Sequence, residues 1–165
     1  IEGEAGNGMH INMSVKCRDG EDKSDAFLAG VLAHVREVTA FLNPVESSYR
    51  RLGEHKAPRY ITWSPENRSQ LVRIPAAQGE YKRIELRSPD PTANPYLAYA
   101  LLIHAGLDGI RRGLTAPLPV NENLYTAPES LTSKLERLPG SLQEAKALAR
   151  ESAFVASILP AGMLD

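Results

Sequence analysis

The chain has 165 residues and a formal net charge of −1, from 19 basic and 20 acidic residues. Hydrophobic residues make up 42% and charged residues 24%, a globular balance that excludes wholesale disorder, a collagen-like repeat and a disulfide scaffold. The length allows about one domain with a sizeable core. No apolar run approaches the ~18 residues of a membrane helix; the richest, Tyr96 to Leu107, is shorter and contains His104, so no membrane is expected as a partner. A charge near neutrality also speaks against a nucleic-acid partner, because such domains usually have a pI above ~9. The average hides an asymmetry: from Arg50 to Arg87, seven Arg and two Lys stand against four Glu, a net of +5. A cationic window in an otherwise acidic chain points either to an anionic small ligand or to a solvated charged surface. The single cysteine, Cys17, excludes an internal disulfide and fits a reducing compartment. Ile1-Glu2-Gly3-Glu4 has no signal-peptide character. With no Met at position 1 and a glycine-rich motif within five residues, the chain reads like a piece of something longer.

In chain order, residues 5–15 pass from a turn-rich start into strict alternation, the pattern of a half-buried strand. Ile11, Met13 and Val15 take one face; His10, Asn12 and Ser14 take the other. Residues 18–23 are a charged turn. Ser24 is expected to cap a helix running to about Leu42, with Phe27, Leu28, Val31, Leu32, Val35 and Val38 on one apolar face and Asn43-Pro44 ending it. Residues 44–58 read as a loop with a basic knot at Tyr49-Arg50-Arg51. Three strands are expected next, at Arg59–Ser64, Ser69–Pro75 and Lys82–Ser88, with Gln78-Gly79-Glu80 as a hairpin-like connection. In the last strand Arg83, Glu85 and Arg87 share a face. Asn94-Pro95 starts a helix that runs to Arg112, with Gly113 just past its end. It is apolar nearly all round and so is expected to be the buried core helix. A loop follows from Val120 to Pro128. Ser141 and Glu144 form a capping box for another helix, and the stretch from Phe154 is apolar. No internal repeat or interdomain linker is visible.

Three expected strands thus offer polar residues on one face: His10, Asn12 and Ser14; Arg73; and Arg83, Glu85 and Arg87. Each has a plain structural reading. A lone His is commonly a hydrogen-bonded core residue, and an Arg-x-Glu-x-Arg stripe is commonly a cross-strand ion-pair ladder. Together with the +5 window they suggest more. Guanidinium groups grip phosphate and carboxylate in bidentate fashion, and a His with a Glu can hold a divalent cation such as Mg²⁺ or Mn²⁺. Arg, carboxylate and metal are the groups that phosphoryl transfer needs. On physical grounds alone, the expectation is an anion or nucleotide site.

At these residues the sequence resembles the glutamine synthetase family, in its type I bacterial form. Ala5-Gly-Asn-Gly-Met-His10-Ile-Asn-Met-Ser14 is similar to the family's ATP-region signature, without the Lys-Pro that opens it. Further similarity follows in order: Ser48-Tyr-Arg-Arg51-Leu, Asn67-Arg68-Ser69 with Arg73-Ile-Pro75, Arg83-Ile-Glu85-Leu-Arg87-Ser-Pro-Asp90, Asn94-Pro-Tyr-Leu97, Ala105-Gly-Leu-Asp108-Gly-Ile and Asn123-Leu-Tyr125. The resemblance covers essentially the whole chain. It implies an α+β fold, a mainly antiparallel sheet with covering helices. It also implies that residues 1–165 are the C-terminal part of a catalytic domain, without the N-terminal small domain and the upstream catalytic strands.

The implied activity is ATP-dependent ligation of ammonia to glutamate through γ-glutamyl phosphate, in the cytoplasm and in a large homo-oligomer. Residue by residue, the resemblance implies that His10 and Glu85 ligate Mg²⁺ or Mn²⁺ and that Gly6 and Arg51 serve the glutamate pocket. Arg68 and Arg87 would meet the transferring phosphoryl group and the γ-carboxyl. Arg73 and Arg83 would grip the ATP phosphates, with Ser14 near the nucleotide. Tyr125 matches a position that some type I enzymes adenylylate. There are departures. Ala5 and Asn12 replace a common Asn and His, and Glu54-His-Lys56-Ala-Pro58 replaces a Gly-Tyr-Glu-Ala-Pro segment, so that Lys56 stands where the family carries a flap glutamate. Two other readings stay open: a glutamate–amine (γ-glutamylpolyamine) ligase and a non-catalytic member of the fold.

Overall fold

The computed structural model describes residues 4–77 and 79–163. These form a four-stranded sheet with helices packed on one side. The strands are β1 (Ile11–Met13), β2 (Trp63–Pro65), β3 (Val72–Ile74) and β4 (Ile84–Leu86), in the order β1-β4-β3-β2. The β1–β4 and β4–β3 pairs are antiparallel; β2 runs parallel to β3. The architecture is therefore the expected α+β fold with a mainly antiparallel sheet. Its regular strands are only three residues each; β1, β3 and β4 lie inside the segments expected as strands, whereas β2 begins late in the expected Arg59–Ser64 strand and runs past its end, because Tyr60 makes only an isolated bridge to Arg137. Gln78 lies outside the described residues; the rest of the expected hairpin-like connection is a 3-10 turn over Gly79–Tyr81.

Helix α1 spans Ser24–Leu42 and buries Phe27, Leu28, Val31, Leu32, Val35 and Val38 as its periodicity requires. Ser24 is not its cap. It is the first helical residue, and the Asp22 carboxylate accepts its N–H at 2.9 Å. Two short helices were not expected: α2 (Glu46–Arg51), inside the loop read over 44–58, and α4 (Glu129–Thr132), in a stretch to which the sequence assigned no element. A helix of six residues or fewer shows too little periodicity to be read from sequence; α2 still carries Glu46 in its first turn and Arg50 and Arg51 in its last, as the helix dipole favours.

Helix α3 (Pro95–Arg112) starts and ends as expected. The Asn94 side chain accepts from the N–H groups of Tyr96 and Leu97, and Gly113 closes the helix in a left-handed conformation. One side of α3 is buried through Ala98, Leu101, Leu102, Ala105 and Gly109, but the opposite side leaves Tyr96, Tyr99, Ile103 and Leu107 exposed. The expectation of a helix buried all round is thus corrected: α3 has one covered face. It crosses α1 where Gly30 meets Gly109. A Cβ on Gly109 would lie 2.1 Å from the Ala26 carbonyl oxygen, and one on Gly30 would lie 2.2 Å from that of Ala105. The helices therefore touch backbone to backbone.

Helix α5 (Leu142–Glu151) is capped by Ser141, whose hydroxyl accepts the Glu144 N–H at 3.2 Å. The expected box is only half formed, because Glu144 accepts from Gly140 rather than from Ser141. Helix α6 (Ala153–Ile158) begins at Ser152, which also ends α5. The core lies between the helices and the apolar sheet face, around Val31, Val35, Val38, Leu71, Val72, Leu86 and Leu101. The polar sheet face is left free to line a cleft. No helix among the described residues is long and apolar enough to cross a membrane.

Candidate active site

Strand register assembles the centre of this cleft. Glu85 of β4 lies directly opposite Asn12 of β1 and Arg73 of β3, and because side chains alternate along a strand, all three occupy the polar face. The Glu85 carboxylate is nearly buried. Its Oε2 accepts Arg73 Nε at 2.5 Å and lies 3.6 Å from an Arg87 nitrogen, while Oε1 sits 3.2 Å from His10 Nδ1. Burial alone would raise the Glu85 pKa, but the Arg73 hydrogen bond and the charges of Arg73 and Arg87 outweigh it and hold the group below the usual carboxylate range. His10 is pushed the other way: burial and the charge of Arg87 lower its pKa against the opposing pull of Glu85. A neutral imidazole facing a carboxylate is the protonation state a metal ligand needs.

The cleft around this pair has a volume of ≈ 1390 Å³, and eight of the residues anticipated from sequence line it: Gly6, His10, Arg51, Arg68, Arg73, Glu85, Arg87 and Tyr125. Arg51, at the end of α2, reaches inward and donates to Asn43 Oδ1 at 3.2 Å and to the Ser88 carbonyl oxygen, with Asp90 at 3.6 Å. Burial draws its guanidinium pKa down and Asp90 opposes that. The glycine loop lies against the same side chain; a Cβ on Gly6 would stand 3.4 Å from Arg51 Cβ. Arg87 donates to the Lys56 carbonyl at 3.2 Å. It thereby ties β4 to the 53–57 turn, in which Glu54, His55 and Lys56 all face the cleft and His55 has φ 48°. Tyr125 donates to the Arg68 carbonyl at 3.3 Å; burial raises its pKa and the Arg87 charge opposes the rise, so the phenol remains a donor at neutral pH.

Ser14 and Arg83 are not in this cleft. They line a separate pocket of ≈ 200 Å³ at the far ends of β1 and β4, with Met13, Phe27, Trp63 and Ile74. Arg83 donates to Asn12 Oδ1 and to the Tyr81 carbonyl, each at 3.2 Å, whereas the arginines paired with Glu85 are Arg73 and Arg87. The stripe Arg83-x-Glu85-x-Arg87 is therefore not one ladder; the cross-strand partner of Glu85 is Arg73. Sequence reasoning gave no site role to Asn43, read only as a helix stop, or to Ser88 and Asp90; all three anchor Arg51. The signal available for Asp90 was local: Asp-x-Thr is an Asx-type turn, and Asp90 accepts from both the Thr92 N–H and its hydroxyl.

The glutamine synthetase catalytic-domain model matches residues 1–165. The chain is 42% identical to a glutamine synthetase of Methanosarcina mazei over 95% of its length, 44% identical to that of Thermotoga maritima over 87%, and 40% identical to that of Thermus thermophilus over 96%. It spans 38%, 36% and 39% of those relatives, respectively. Among solved structures it is similar to GmaS in an ADP complex, with a TM-score of 0.81, 33% identity and coverage of 94% of this chain and 39% of that one. The ligand-free form of GmaS superposes with a TM-score of 0.78. With the sheet, the arginine-lined face and the full-length match in agreement, the chain belongs to the glutamine synthetase catalytic-domain family.

Proposed function

We propose that the protein carrying this chain is an ATP-dependent ligase that joins ammonia to the γ-carboxyl of glutamate, by way of γ-glutamyl phosphate, and releases glutamine. The observation that supports this reading is the His10–Glu85 pair ringed by arginines of graded availability. Arg73 and Arg87 are engaged with Glu85, and Arg51 is anchored among buried acceptors. Arg68 lines the cleft with no side-chain partner among the described residues. Phosphoryl transfer needs positioning and charge neutralisation more than covalent help. In this reading Arg51 holds the substrate carboxylate beside the Gly6 loop. Arg68 and Arg87 meet the γ-carboxyl and the phosphoryl group, Arg73 meets the ATP phosphates, and Ser14 and Arg83 take the outer part of the nucleotide.

His10 Nδ1 and Glu85 Oε1 are 3.2 Å apart, and adjacent ligands of an octahedral Mg²⁺ with ~2.1 Å bonds stand about 3 Å apart. The pair therefore fits two positions of a hard divalent cation. The described residues hold no cluster of three such ligands, so the other positions fall to oxygens from elsewhere. When bound, the cation supplies neutralisation of phosphate charge. Ammonium must lose a proton before its nitrogen can attack, and Glu54 is the carboxylate of the 53–57 turn that can take it. Assembly as a large homo-oligomer in the cytoplasm belongs to the same reading.

A glutamate–amine ligase is the second reading. Lys56 on the cleft wall favours it, together with the similarity to GmaS, a glutamate–methylamine ligase. The deciding experiment measures ATP- and glutamate-dependent phosphate release by the native full polypeptide with ammonium, methylamine and polyamines. The highest kcat/KM with ammonium supports the first reading, and preference for an alkylamine supports the second. No glutamate-dependent release with any amine would sink both and leave a non-catalytic member of the fold.

A further inference from the structure

Arg68 differs from the other arginines of the cleft. Its guanidinium is exposed and unpartnered among the described residues, yet the backbone on either side of it is pinned. Asn67 does most of the pinning. Its Oδ1 accepts the backbone N–H and the hydroxyl of Ser69, both at 2.9 Å. Its Nδ2 donates to the carbonyls of Asn121 and Glu122 at 2.8 and 3.1 Å. One amide thus closes its own loop and clamps that loop to the strap over 121–125. The clamp is reinforced from both sides: Gln70 Nε2 also donates to the Glu122 carbonyl at 3.0 Å, and the Ser69 hydroxyl accepts the Leu124 N–H at 3.0 Å. The Tyr125 hydroxyl reaches the carbonyl of Arg68 itself. These bonds hold the loop and the backbone of Arg68; none engages its charge.

We infer that Asn67 is a positioning residue for Arg68. By clamping the 67–70 loop to the 121–125 strap, it fixes the point at which the guanidinium enters the cleft. An anionic oxygen then meets a preplaced cation and no loop must be ordered on binding. Asn suits the task because its amide offers an acceptor and a two-proton donor at once; Asp keeps the first and loses the second. The inference rests on the reading of Arg68 as an anion-binding group.

The test is a double-mutant cycle in the native full polypeptide, comparing Asn67→Ala, Arg68→Ala and the pair. Calorimetric binding of inorganic phosphate and ATP-dependent turnover are measured side by side. Arg68→Ala should weaken phosphate binding about tenfold or more, since a charge-assisted contact is lost. Asn67→Ala should weaken it about fivefold, and the double variant should be no weaker than Arg68→Ala alone, because coupled residues do not add. Turnover of Asn67→Ala should fall mainly in kcat. Should Asn67→Ala not fold, Asn67→Asp, which retains the Ser69 bonds and removes those to the strap, carries the same cycle. Losses that multiply in the double variant, phosphate binding insensitive to Arg68, or no phosphate binding at all would each overturn the inference. A cycle that behaves as expected in a protein that shows no amine-dependent turnover would sink the ligase reading and leave the role of Asn67 standing.

Discussion

Glu85 is 6% exposed and faces two guanidinium groups and one imidazole. The small values measured for surface ion pairs, ~0–1 kcal/mol, do not apply to it. In Glu85→Gln the amide still fills the space but leaves Arg73 and Arg87 without their counter-charge, which should cost about 1–3 kcal/mol of stability. If Glu85 also ligates a metal, kcat should fall on the order of 10²-fold and the metal requirement should rise. A lowered melting temperature with normal turnover would leave it a structural counter-ion only. A second carboxylate ties the site to acid stability. Burial pushes the Asp90 pKa up, but the Thr92 hydrogen bonds and the Arg51 charge outweigh that, and the net shift is downward. A carboxylate with a depressed folded pKa stabilises the fold above its unfolded value and loses that contribution as pH falls through the folded one. The melting-temperature gap between the native chain and Asp90→Asn should therefore shrink as pH drops from about 5 to about 2; a gap that stays constant would rule out Asp90 titration. The polar residues of this face were legible from alternation alone. Their partners were not, because the contact of Glu85 with Arg73 depends on strand register and that of Arg51 with Asn43 on the turn between two helices.

The crossing of α1 and α3 sets how far the helices can separate without losing the core. Gly109→Ala gains helix propensity of about 1 kcal/mol, yet its methyl group would meet the Ala26 carbonyl oxygen at 2.1 Å. Because the obstacle is backbone, the helices must shift, and overpacking of this kind costs about 1–3 kcal/mol. That corresponds to a fall in melting temperature of several degrees for a domain of this size, at ~2–4 °C per kcal/mol. An unchanged or raised melting temperature would show that the crossing has slack. The long helices α1 and α3 were legible because they carry several turns of periodicity, with a proline or capping signal at their ends. The short α2, α4 and α6 carry too few residues to show a period. The exposed side of α3 was misread for another reason: apolar content looks the same in a buried helix and in one whose outer face is bare, and only packing separates them.

Taken whole, the described residues present one large cleft with a single His10–Glu85 pair at its centre. His10 and Glu85 are the only two candidate cation ligands assigned in it, and among the described residues no third joins them. The purified 165-residue chain should therefore form no detectable glutamine or γ-glutamyl hydroxamate; robust turnover by it would mean that these residues suffice. What was legible at this scale is the family, since motifs in the same order run along nearly the whole chain. The division into a large arginine-lined cleft and a small apolar pocket was not legible, because Ser14 and Arg83 share a strand face with His10 and Glu85 and only the paths of the strands carry them apart. That small pocket contains Trp63, the sole tryptophan of the chain, whose indole N–H is held by the Pro117 carbonyl at 2.7 Å. The chain thus carries its own optical reporter. A nucleotide base entering beside Arg83 would replace water against the indole and shift its fluorescence, whereas an anion confined to the arginine cleft would leave the emission unchanged. Titration with ATP should shift the emission and titration with inorganic phosphate should not, and Arg83→Ala should weaken the ATP response; equal silence to both would place the nucleotide away from Trp63.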